Sequence, residues 1–338
     1  MRGKIMSILI LAAMLFSGCT KSSVDKVMRE EAYSVSSGNI SESEKIVKDV
    51  FAMDTYMTLT AYGNHAEDAI NAAIAEVERL DSLLSIGKED SEISCLNKNG
   101  NLTLSEDTAY IMESALMLYK QTGGAFNPAM YPLMEAWGFT SQNYRVPEKS
   151  ELQQLLKLID CDELHFNFAD KKAEFGISGM MVDLGGIAKG YTSSKLMDVF
   201  SDNGVTSGIV SLGGNVQTLG SKPDGSPWRV AVQNPDGSND YIGVLEICDK
   251  AVITSGGYER YFEQDGKSYH HIIDPSTGYP AESGLKSVTI VSADGTLADG
   301  LSTALFVMGL VKATSFWQEN SDMFDAILLT DDDILYVT

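Results

Sequence analysis

Trp228-Arg-Val-Ala-Val-Gln233, then the turn residues Asn234-Pro-Asp-Gly-Ser238, then Tyr241-Ile-Gly-Val-Leu-Glu-Ile-Cys248, is the stretch on which the fold class turns. Both flanking runs alternate apolar with polar or small residues, the period of a half-buried strand. Joined by so short a Pro/Gly-rich link they pair as an antiparallel hairpin, because a parallel crossover needs a dozen residues or more. The same pattern recurs outward. His165–Phe168 and Lys172–Ile177 pair across Asp170-Lys171, and Ala326–Leu329 and Ile334–Val337 across Asp331-Asp332-Asp333. Single strands are expected over Phe51–Tyr62, Gly208–Leu212, Ala251–Ser255 and Lys286–Ser292. Between them lie helices without regular βαβ spacing. Ile70, Ile74, Val77, Leu80 and Leu84 mark one from Ala66 to Leu84, and Ser105 N-caps another that Gly123-Gly124 stops. Pro147 opens a short one, Gly186–Asn203 forms a fourth, and a fifth starts near Leu297. The expectation is a single α+β domain of mixed, largely antiparallel sheets packed with helices.

The ends divide the chain further. Arg2 and Lys4 precede an apolar run, Ile5–Phe16, and a small-residue cut site, Ser17-Gly18-Cys19. That is the anatomy of a secretory signal, and its ending in cysteine resembles a bacterial lipoprotein signal, in which Cys19 carries the lipid. Residues 1–18 are therefore expected to be removed, 19–48 to form a polar, flexible tether, and 49–338 to fold on the outer face of the membrane. The formal net charge is −22, and −24 once Arg2 and Lys4 are gone. So acidic a chain is unsuited to a nucleic-acid backbone or to electrostatic adsorption on anionic lipid. Handling an anionic substrate would require a cation. Cys95, Cys161 and Cys248 are widely spaced, with no CxxC, and read as buried small hydrophobes.

Chemistry concentrates in Tyr269-His-His-Ile-Ile-Asp-Pro-Ser-Thr-Gly-Tyr-Pro280, which holds two of the four histidines. Asp274-Pro275-Ser276-Thr277-Gly278 is turn chemistry, so the histidines stand at a strand-to-loop edge. Such an edge is either a solvated polar turn or one wall of a cleft. Three further segments combine polar groups with glycine. In Val182-Asp183-Leu184-Gly185-Gly186-Ile187-Ala188-Lys189-Gly190 an acid precedes a helix start with bare N–H groups and Lys189 one turn in, which suits a phosphate. Asp299 and Thr303 are four apart near another helix start. They read either as an N-cap with a helical threonine or as a carboxylate and a hydroxyl sharing a face for a hard cation. Phe126, in Gly123-Gly124-Ala125-Phe126-Asn127-Pro128, can flank a flat ring or fill the core.

Taken in order with Met53-Asp54-Thr55, Asp90-Ser91-Glu92 through Leu96-Asn97, and Ser211-Leu212-Gly213-Gly214-Asn215, these segments resemble the ApbE-type family, the FAD:protein FMN transferases. The resemblance implies FAD as substrate, bound by Met53, Ala125, Phe126, Asn127, Asp183, Lys189 and Ile272. It implies magnesium on Asp299, Thr303 and main-chain oxygen from Gly186 and Ser302. FMN would pass to a Thr or Ser hydroxyl of a protein, with release of AMP, and the acceptors would be membrane electron-transport subunits. A magnesium ion would neutralise the pyrophosphate before a neutral hydroxyl attacks. His271 is expected as the general base, with His270 only its neighbour. Two other readings stay open: a pyrophosphatase that yields FMN and AMP, and a lipid-anchored flavin-binding protein that needs neither metal nor base. Two positions depart from the family pattern, Gly87 where an aromatic residue is common and Asp54 where glycine is usual.

Overall fold

The computed structural model describes residues 45–237 and 240–338, so Cys19, the signal and most of the expected tether lie outside the described residues. In chain order the elements are β1 (Lys45–Ala52), β2 (Thr55–Tyr62), α1 (Ala66–Leu84), α2 (Glu92–Asn99), β3 (Asn101–Thr103), α3 (Glu106–Gln121), α4 (Tyr131–Trp137) and α5 (Lys149–Leu155). There follow β4 (Leu164–Asn167), β5 (Lys172–Phe175), α6 (Gly185–Asp202), β6 (Gly208–Leu212), β7 (Asn215–Leu219), β8 (Trp228–Gln233), β9 (Tyr241–Ile247) and β10 (Ala251–Gly256). The chain closes with β11 (Tyr261–Gln264), β12 (Lys267–His270), β13 (Leu285–Ser292), α7 (Gly295–Glu319), β14 (Asp325–Thr330) and β15 (Leu335–Val337).

Eight strands form one sheet in the order β1-β2-β6-β7-β10-β13-β14-β15, and every pairing is antiparallel. The α+β expectation holds. Alternation along the central strands fills both faces of this sheet. Ile253, Ile290 and Leu328 point into a large core with Leu301 and Leu305 of α7, while their neighbours Val252, Val291 and Ile327 pack against Trp228, Val230 and Ile247 of the β8–β9 hairpin. A second helical cluster joins Ile70 and Val77 of α1 to Leu196 and Phe200 of α6 over β2 and β6. α7 is long and apolar enough to cross a membrane by composition, but it is a core helix lying along β10 and β13.

Several expectations are corrected. Phe51–Tyr62 is not one strand, because the chain reverses at Met53-Asp54, where both φ angles are positive (49° and 57°), and β1 pairs back on β2 from Lys45 onward. The domain thus begins inside the segment assigned to the tether. Ser105 occupies the N-cap position of α3 but its hydroxyl donates to Glu92 and does not cap. The helix expected from Pro147 starts only at Lys149, with Glu148 in the N-cap position and no side-chain cap. Of the three cysteines only Cys161 is buried, and Cys248 is exposed.

Candidate active site

The site is built around a crossing of α6 and α7. Asp183 precedes α6, and its Oδ1 accepts the Gly185 N–H at 2.8 Å, while its own N–H is tied to the Pro128 carbonyl at 2.8 Å. Burial pushes the Asp183 carboxyl up. Gly185 and Gly186 are exposed, but the Gly185 N–H is taken by Asp183 and the Ile187 N–H by the Leu184 carbonyl at 3.0 Å, so among the described residues only the Gly186 N–H of this first turn is left for a ligand. A Cβ on Gly186 would sit 3.3 Å from the Phe126 ring, and one on Gly300 3.6 Å from it. Phe126 itself is 4% exposed. Its side chain is therefore core, and it shapes the site by pressing on Gly186.

Gly190 lets the two helices meet. A Cβ there would run into the Gly295 carbonyl and lie 2.6 Å from Asp299 Cβ. The closeness lets the Gly190 N–H donate to Asp299 Oδ2 at 2.8 Å, and Asn215 Nδ2 donates to Oδ1 at 3.0 Å. A main-chain carbonyl has two lone pairs, so the Gly186 oxygen, the regular α-helical partner of that N–H, keeps acceptor capacity. Asp299 is not the N-cap. Asp294 caps α7 by accepting the Leu297 N–H at 3.1 Å, and Asp299 lies in the second turn, 5% exposed, with burial raising its carboxyl.

Beside it, the Ser255 hydroxyl lies 2.7 Å from that of Ser302 and 3.3 Å from that of Thr303. The Ser302 hydroxyl also donates to the Asp299 carbonyl at 2.8 Å, so only its main-chain oxygen is left for the role expected of it. Among the described residues no three His, Cys, Asp or Glu side chains gather as a metal site. One carboxylate, the Thr303 and Ser255 hydroxyls and the Gly186 and Ser302 carbonyls remain, an all-oxygen set that fits a hard divalent cation. Such an ion would also relieve the desolvated Asp299 carboxylate. Among the described residues Lys189 makes no ion pair, and its charge acts on Asp299, Glu259 and His271.

The two histidines separate cleanly. His270 Nε2 lies 3.2 Å from the Ala281 carbonyl and its Nδ1 accepts the Ile272 N–H at 3.3 Å, so both nitrogens are in use. Among the described residues His271 has only Nδ1 engaged, at 3.1 Å from the Arg260 carbonyl. A carbonyl can only accept, so Nδ1 carries the proton and Nε2 keeps a free lone pair. Burial first, then the neighbouring Arg260 guanidinium, pulls the imidazole down to about 3, which keeps it neutral.

Other expected residues take structural duties. Ile272 is buried, its N–H bound to His270 and its carbonyl accepting from Ala281 at 2.9 Å. Asn127 donates to the Ile159 carbonyl at 2.9 Å and accepts from Ala129 N at 2.8 Å and Cys161 Sγ at 3.1 Å. Ala125 and Asn127 do line a cleft of about 700 Å³ shared with Asp274, Pro275 and Ser276, but Met53 does not. Met53 is held at its turn by Asp81, which accepts its N–H at 3.0 Å, and its sulfur accepts from Thr192 one turn beyond Lys189 at 3.7 Å. Asp274 braces its own turn, accepting from Ser276 N at 2.8 Å and Ser276 Oγ at 2.7 Å. Ser255, Glu259, Arg260 and Asn215 enter the site without having been singled out. Asn215 alone had a signal, its place in the Gly213-Gly214-Asn215 turn.

The family model described as the ApbE family matches residues 53–328. The FAD:protein FMN transferase of Treponema pallidum is 32% identical over 286 residues, covering 78% of this chain and 79% of that protein. The Klebsiella pneumoniae FAD:protein FMN transferase is 32% identical over 271 residues, covering 79% and 84%. Among solved structures, the ApbE protein of Thermotoga maritima superposes with a TM-score of 0.82 at 32% identity, over 87% of this chain and 97% of that one. The flavin transferase ApbE of Vibrio cholerae does so with 0.79 at 27% identity, over 88% and 97%. With its fold, its ordered glycine and acid segments and these relatives in agreement, the chain belongs to the ApbE family.

Proposed function

We infer that this chain transfers FMN from FAD to a protein, joining it to a Thr or Ser hydroxyl and releasing AMP. One observation carries the reading: the helix start that exposes Gly185 and Gly186 also holds the buried Asp299 carboxylate through the Gly190 N–H. On this reading an oxygen-lined cation site would lie directly beside a phosphate-binding helix terminus. Magnesium bound by Asp299, Thr303 and the Gly186 and Ser302 carbonyls would neutralise the pyrophosphate and polarise the phosphorus under attack. The protein's own residues do the rest. Lys189 and the Gly186 N–H hold the phosphates, and His271 Nε2 takes the proton from the incoming hydroxyl. The new O–P bond forms on the FMN phosphorus as its bond to AMP breaks, and AMP leaves with its oxygen.

The acceptors proposed are membrane electron-transport subunits, reached by an enzyme tethered through lipidated Cys19 on the outer face of the membrane. A second reading, hydrolysis of FAD to FMN and AMP, is favoured by one observation. The Gly87 position is open, since a Cβ there would meet only the Ser85 hydroxyl at 3.7 Å. Its loop is bound to the Met53 turn through Asp81, which takes Met53 N–H at 3.0 Å and Lys88 Nζ at 2.6 Å. Incubating the protein with FAD and magnesium, with and without a Thr-containing acceptor domain, separates these outcomes. Covalent flavin on the acceptor with one AMP released is expected. FMN and AMP without covalent flavin would assign the hydrolase instead, and unchanged FAD would leave only a binding protein.

A further inference from the structure

Arg260 lies in the link between β10 and β11 and does two things at once. Its carbonyl receives both the N–H of His271 at 3.0 Å and its Nδ1 at 3.1 Å. Its guanidinium is anchored by a single main-chain contact, Nη2 to the Phe139 carbonyl at 3.0 Å, and the Phe139 ring meets the His271 ring edge-on at 6.3 Å. Among the described residues the rest of the planar fork is uncommitted. Arg260 makes no ion pair among the described residues, in a chain with 47 acidic against 25 basic side chains. Its residue is exposed, yet its charge reaches Asp183, Glu259 and His271, on three separate stretches of the chain.

The charge balance of this side-chain cluster gives the arrangement a meaning. Asp183, Glu259 and Asp299 face Lys189 and Arg260, so the ionised side chains alone leave an excess of negative charge. A divalent cation would turn that into an excess of positive charge, which a dianionic diphosphate can occupy. A guanidinium fork, fixed at one nitrogen and open at the others, matches the geometry of phosphate oxygens. We propose that Arg260 is a direct contact for the diphosphate of FAD, a second cationic partner beside Lys189, so that one residue grips the substrate and aims the proton acceptor at it. The proposal rests on the reading of this cleft as the FAD site.

The test compares Arg260→Met and Arg260→Lys with the unaltered protein, without acceptor, by titrating flavin fluorescence with FAD and with riboflavin, which lacks the diphosphate, at rising KCl. Arg260→Met is expected to weaken FAD binding by about tenfold or more, the worth of a charge-assisted contact, with riboflavin binding unchanged and a flatter salt dependence for FAD. Arg260→Lys, which keeps the charge, should retain the salt dependence and part of the affinity, and it guards against a folding defect. Equal weakening of FAD and riboflavin would show that Arg260 only holds its loop, and unchanged FAD affinity and salt slope would overturn the contact outright. Failure of the unaltered protein to bind FAD would instead remove the underlying reading of the cleft.

Discussion

At the scale of single residues, the two adjacent histidines show how hydrogen bonding divides labour. His270 is locked by a carbonyl on one nitrogen and an amide on the other, with its ring edge-on to Phe306 at 5.6 Å, whereas His271 keeps Nε2 free. Replacing His271 with Gln should leave FAD bound but lower transfer by about two to four orders of magnitude, the usual worth of a general base. Retained transfer in single-turnover assays would remove it from that role. Its depressed proton affinity also has a sign that stability measurements can read. In the unfolded chain His271 titrates near 6.5, while in the fold it stays neutral down to about 3. Between those values the unfolded state binds more protons, so stability contributed by this group is present above about 6.5 and falls as the pH drops toward 3. His270 shifts the same way through burial. Thermal melts of His271→Gln across this range should therefore lose less stability on acidification than the unaltered protein, and an identical slope would show that the imidazole is not buried neutral.

Among the elements, the α6–α7 crossing sets the site. Gly190 and Gly295 are in reciprocal contact, since a Cβ on Gly295 would lie 2.7 Å from the Gly190 carbonyl just as one on Gly190 meets Gly295. Gly190→Ala should cost about 1–3 kcal/mol of stability by overpacking and weaken divalent-cation binding, which calorimetry of the metal alone can measure. Unaltered cation affinity would mean that the Gly190 N–H does not aim Asp299. Legibility at this scale follows periodicity. The Ala66–Leu84 helix was readable to the residue because five apolar positions repeat on one face, and the β8–β9 hairpin because its turn carries Pro and Gly. The first hairpin was not, because Met53-Asp54 lacks the glycine or asparagine that advertises such a turn; an aspartate and a strained methionine hold the positive φ instead. Arg260 was equally silent. Its partner Phe139 is 121 residues away, and nothing local in a turn-rich segment records that contact.

For the whole molecule, the eight-stranded sheet ends at β1, whose eight residues pair with β2 from Lys45↔Tyr62 to Ala52↔Thr55. A chain starting at Asp49, the boundary suggested by composition, would lose half of that ladder and expose the β2 edge. Against a chain starting at Lys45 it should be less stable by roughly 2–4 kcal/mol, counting several hydrogen bonds and one half-buried isoleucine. Equal denaturation midpoints would place residues 45–48 outside the folded unit. The polar, Ser- and Lys-rich character of the segment hid this strand, because an edge strand with one solvated face looks like a tether. Function was legible where motifs fell in family order, and illegible where the fold brings together residues far apart in the chain, as with Ser255 and Thr303. One feature outlasts such particulars. The carboxylate at the centre of the site is steered by a main-chain amide, which every amino acid but proline supplies. Genetic drift at position 190 is then limited by steric space alone, and the orientation of Asp299 can be inherited through extensive side-chain turnover so long as two small residues keep the helices touching.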